Sequence, residues 1–81
     1  MWTVALISNS TCKTYHYKDF AKADKEYKTW LKLFKINNNI KSRTTIIERD
    51  ENDNINSVKN IITLNHTLET YYMILSKDSE D

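Results

Sequence analysis

Between residues 19 and 36 the chain alternates apolar and basic positions with a helical period. Phe20, Ala23, Tyr27, Trp30, Leu31 and Phe34 recur at i, i+3, i+7, i+10, i+11 and i+14, one stripe at about 100° per residue. Lys22, Lys25, Lys28, Lys32 and Lys35 recur at steps of 3, 3, 4 and 3 on another side of the same cylinder. The pattern predicts an amphipathic helix over about residues 19–36, with Asp19 as N-cap at its positive end. Asn37, Asn38 and Asn39 stop it, asparagine being the available substitute for a glycine C-cap. Burying each large member of the stripe is worth about 1.5–3 kcal/mol, so this helix is the main stabilising element.

The flanking segments have strand character. "WTVALISNSTCKTYHY" reads as two strands around a turn at Asn9 and Ser10, because β-branched and aromatic residues surround a cluster of turn formers. A two-residue loop pairs Ile7 with Cys12, Val4 with Tyr15 and Trp2 with Tyr17. Alternation then puts Trp2, Val4, Leu6, Tyr15 and Tyr17 on the core face and Thr3, Ala5, Ile7, Cys12, Thr14 and His16 on the other. A type I′ turn favours Gly after Asn, and Ser10 stands there instead. Residues 42–50, "SRTTIIERD", read as a strand followed by the polar loop "ENDN", and segments 39–47 and 54–62 fit the two arms of a hairpin. In residues 66–76 two signals compete: Leu68, Tyr71, Tyr72 and Leu75 match a helix, whereas "TYYMIL" has strand propensity. The strand reading is preferred, and the acidic segment 77–81 is expected to be a disordered tail.

These elements predict an α+β fold, one domain over residues 1–76: an antiparallel sheet of four strands, ββαββ, or five if residues 66–76 join it, with one face covered by the helix. A single helix cannot cover such a sheet. The other face, with Ile7, Cys12 and one of each pair Ile46/Ile47 and Ile61/Ile62, is expected to stay open unless a partner or second subunit covers it.

Composition narrows the chemistry. The chain has 81 residues, no glycine, no proline and one cysteine. P-loops, Rossmann turns and nucleophile elbows all need glycine, so those enzyme classes are excluded. Lys, Asn, Ile and Tyr supply 33 residues while Ala supplies three, the signature of AT-rich codons such as those of a low-GC bacterium, its phages or its mobile elements. A lone Cys12, with only His16 and His66 to join it, offers neither an internal disulfide nor zinc spacing. With no signal-peptide pattern at the start and no apolar run near 20 residues, a cytoplasmic protein with no membrane segment is expected. Dimerisation is an available way for so small a core to gain buried area.

The net charge of +1 hides an asymmetry. Residues 1–49 carry ten Lys and Arg against four acids, and residues 50–81 carry two Lys against seven acids. The asymmetry suggests a basic partner-facing side, and it equally suits head-to-tail self-association or internal charge balance.

Individual constellations give little catalysis. Asp50, Asn52 and Asn54 match the first half of an EF-hand loop, but Ile55 stands where Gly is needed and Ile61 where a bidentate Glu is needed. Cys12 and His16 lie four residues apart along one strand, about 13 Å, too far for a nucleophile and its base. No cofactor or metal site is predicted. The contact candidates are Lys22, Lys25, Lys28, Lys32 and Lys35, with Lys41 and Arg43 widening the patch. A solvated helix back is the plain alternative, because Asp24 and Glu26 interrupt the surface and the helix aromatics face inward instead of offering stacking platforms.

The function expected is non-enzymatic: a small binding protein, encoded by a phage or mobile element, that docks on a host protein as an inhibitor, for example of a defence system. The alternative is a nucleic-acid-binding accessory protein that lays its lysines along a phosphate backbone.

Overall fold

The structure is a computed structural model that describes residues 1–78. Its elements follow the order β1 (Trp2–Ile7), β2 (Cys12–Tyr17), α1 (Phe20–Asn37), β3 (Ile40–Arg49), β4 (Ile55–Leu64) and β5 (Thr70–Lys77). All pairings are antiparallel, and the five strands lie in the order β2-β1-β5-β4-β3. The last strand therefore inserts between β1 and β4 and joins the two hairpins into one sheet. Residues 70–77 are strand, as β propensity indicated. β5 runs one residue into the segment expected to be disordered, and the Asp78 amide donates to the Met1 carbonyl at 2.9 Å; residues 79–81 lie outside the described part.

The β1–β2 register is the one alternation predicts, with Trp2 opposite Tyr17, Val4 opposite Tyr15 and Ile7 opposite Cys12. The turn closes with the Ser8 amide donating to the Thr11 carbonyl at 2.8 Å. Neither Asn9 nor Ser10 has positive φ, so the turn is not type I′.

At the helix N-terminus the Asp19 carboxylate accepts from the Lys22 amide at 2.8 Å. The other end is built differently from the expected glycine-like cap. Asn38 is extended (φ −139°, ψ 146°), and its side-chain amide donates to the Phe34 carbonyl at 3.0 Å. A side chain thus satisfies the terminal carbonyl that a left-handed residue would otherwise reach through its backbone.

The core forms where helix and sheet meet. Val4, Ala23, Tyr27, Ile62, Leu64, Met73 and Leu75 are buried, with Trp2, Phe20, Trp30, Leu31 and Phe34 packed around them. Phe20 meets Trp2 edge-on at 4.8 Å, Trp30 meets Tyr15 at 5.0 Å, and Phe34 meets Tyr71 at 5.2 Å. A helix about 10 Å wide covers only about half of five strands spaced by about 4.8 Å. α1 lies over β1, β2 and β5, and Ile47 on β3 is left 49 % exposed on the same side of the sheet.

Candidate functional site

The seven predicted contact residues are all exposed. Lys22, Lys25, Lys28, Lys32 and Lys35 run along the outer side of α1, and Lys28 is held by Asp24 at 2.8 Å. Lys35 sits in the last turn, where a cation suits the negative end of the helix dipole. Arg43 is separate from this row: it lies on β3 facing the helix side and shares a shallow groove with Lys28, Tyr27 and Ile47. The structure thus brings Lys28 and Arg43 to one groove and leaves the other helix lysines as a spaced, solvated row.

Along that groove runs a polar chain, buried at Tyr27 and Asn60, that the sequence did not advertise. Thr45 donates to the Asn60 Oδ1 at 2.6 Å, the Asn60 amide donates to the Tyr27 hydroxyl at 2.7 Å, and Tyr27 donates to the Met73 carbonyl at 2.7 Å. Burial raises the Tyr27 pKa above the ordinary tyrosine value, and the Asn60 hydrogen bond partly offsets the rise. Every member of the chain has a partner, so it fixes the helix on the sheet and offers no reactive group.

The face away from the helix is open. Register places Cys12, Ile7, Tyr72, Ile61 and Thr44 in one row across all five strands, and Thr14, Ala5, Ile74, Lys59 and Ile46 in the next. The unresolved choices in the isoleucine pairs are settled by parity: Ile46 and Ile61 point to the open face, while Ile47 and Ile62 point to the helix side. Ile7, Ile46 and Tyr72 are each more than a third exposed. Lys59 stands among them with no ion-pair partner among the described residues. Tyr72 and Ile74 join this face because β5 is a central strand, and Lys59 joins it by alternation along β4 from Ile61.

At one end of this face Thr3 donates to Asp78, and His16 Nδ1 lies 3.0 Å from the Thr3 hydroxyl oxygen. With the Thr3 hydrogen directed at the Asp78 carboxylate, His16 is the donor in its contact with Thr3 and does not face it as a base. In the β3–β4 loop one Asp50 carboxylate oxygen accepts from the Asn52 and Asn54 amides, both at 2.9 Å. The residues that imitate a calcium loop therefore build a turn.

Compared with known proteins, the chain matches no family model, no curated protein and no solved structure.

Proposed function

We propose that this is a non-enzymatic binding protein that docks on a host protein through the open face of its sheet and inhibits it. The observation that carries the reading is the uncovered apolar field of Ile7, Ile46, Ile61, Tyr72 and Ile74 around Lys59, which has no ion-pair partner among the described residues. Contiguous apolar surface of this kind, rimmed by polar residues, marks interaction sites. The partner that fits is a protein surface that is apolar with one carboxylate opposite Lys59. The AT-rich composition supports an origin in a phage or mobile element, and with it action in the cytoplasm of the host cell.

The test compares capture from a host-cell extract by three immobilised proteins: the wild type, an Ile61→Glu variant and a Lys25→Glu/Lys32→Glu variant. A protein retained by the wild type and the lysine variant and lost from Ile61→Glu is the expected result. Retention that survives Ile61→Glu would overturn the open face as the docking surface.

A second reading is supported by the exposure of all five helix lysines: a nucleic-acid-binding accessory protein. It requires binding that weakens steeply with salt, as counterion release dictates, and that disappears in Lys25→Glu/Lys32→Glu. Binding indifferent to either change would exclude it.

A further inference from the structure

We propose that the exposed edge of β2, with the groove between it and α1, is a second docking site that accepts an extended acidic segment of another protein by strand addition. β2 is an edge strand with five of its six residues exposed. The Ser8–Thr11 hydrogen bond sets the phase of the β1–β2 ladder. Alternation along an antiparallel pair then turns the backbone groups of Cys12, Thr14 and His16 away from β1, where an added strand would meet them. Next to this edge, on the helix side, a groove of about 410 Å³ is lined by Leu6, Tyr15, Trp30, Leu33 and Phe34. Tyr15 and Leu33 at its mouth are half exposed, at 50 % and 52 %.

Strand addition combines these two features: main-chain hydrogen bonds supply affinity, and a pocket beside the edge selects alternate side chains. The groove would take one apolar or aromatic side chain of the incoming segment. Charge defines the rest of the occupant. Lys13 is on the groove wall, the adjoining turns of α1 carry Lys32 and Lys35, and no carboxylate of the described residues lines the groove. An acidic segment is attracted here, and a basic one is repelled.

The opposite edge is less suited to the same role. β3 carries Lys41, Arg43, Glu48 and Arg49 among its ten residues and has register irregularities near both ends, which are devices that blunt edge pairing. Its groove on the helix side is lined by charges of both signs, Asp24, Lys28 and Arg43.

The experiment selects a displayed library of random short peptides on the immobilised full chain, then measures the winning peptides in solution. Enrichment of peptides with an apolar anchor flanked by acids is expected. The bound peptide should slow amide exchange at Cys12, Thr14 and His16. Leu33→Glu should weaken it by about tenfold or more, Lys13→Glu should also weaken it, and Ile61→Glu on the open face should leave it unchanged. Leu33 and Lys13 are both exposed, so circular dichroism should show that both variants keep the fold. Failure to enrich, enrichment of basic peptides, or protection appearing at β3 or on the open face would overturn the proposal. So would concentration-dependent protection of β2 in the free protein, which would make a second copy the occupant. Loss of the open-face interaction with Ile61→Glu while peptide binding persists separates this site from the one under Proposed function.

Discussion

Asp53 holds its backbone at φ 66°, the left-handed region that glycine occupies without steric cost. In a chain without glycine, the β3–β4 turn is closed by aspartate, one of the residues that tolerate this conformation. Arg49 reinforces it, donating to the Asp53 carbonyl at 3.0 Å. Two substitutions isolate the backbone contribution, because both remove the same exposed carboxylate: Asp53→Gly should be more stable than Asp53→Val by about 1–2 kcal/mol. Urea midpoints of the pair check this, and equal midpoints would show that the turn carries no such strain.

Glu69 makes a residue-scale link of a different kind. Its carboxylate accepts from Ser10 at 2.7 Å and Tyr71 at 2.9 Å, joining the β1–β2 turn to the segment entering β5. These hydrogen bonds, Ser10 first, lower the Glu69 pKa below the usual glutamate value, and the Tyr71 pKa is raised by the same carboxylate. A depressed carboxylate pKa means that stability present above the unfolded-state value is lost as pH falls through the folded-state value. Glu69→Gln should therefore flatten part of the decline in stability as pH falls below the ordinary glutamate range. An unchanged acid limb in denaturant titrations would contradict the link.

At the scale of elements, helix and sheet are locked by the Tyr27–Asn60 pair as well as by apolar contact. Tyr27→Phe removes a hydroxyl that both donates and accepts in a buried site, and should cost about 1–3 kcal/mol. Combining it with Asn60→Leu should cost less than the sum of the single changes, because the stranded amide disappears with its partner. Additive losses in a double-mutant cycle would show that the two residues act independently. This network also marks the limit of what the sequence disclosed. The helix stripe, the Asp19 cap and the β1–β2 register follow from local spacing, and the structure has all three. Asn60 reads as one more polar residue of a hairpin arm, because its burial is created by Tyr27, 33 residues earlier in the chain. The Asn38 cap was legible as a stop, while its side-chain mechanism depends on a rotamer that spacing does not encode. The position of β5 between β1 and β4 is a long-range choice, and with it the open-face roles of Tyr72 and Ile74.

At the scale of the molecule, one helix and five strands leave an imbalance that gives the protein its surfaces. The lysine row lies exposed along the outer side of the element that closes the core. No helix among the described residues is long and apolar enough to cross a membrane, and the uncovered half of the structure is a sheet face and a sheet edge. A face of this kind is either filled by the protein itself or kept for something else. Sedimentation equilibrium of the purified protein across micromolar concentrations decides between these outcomes. The mass of a single chain is expected for the wild type and for Ile61→Glu alike. A tight wild-type dimer that Ile61→Glu dissociates would contradict this expectation, because the face assigned to a foreign partner would then already be covered by a second copy.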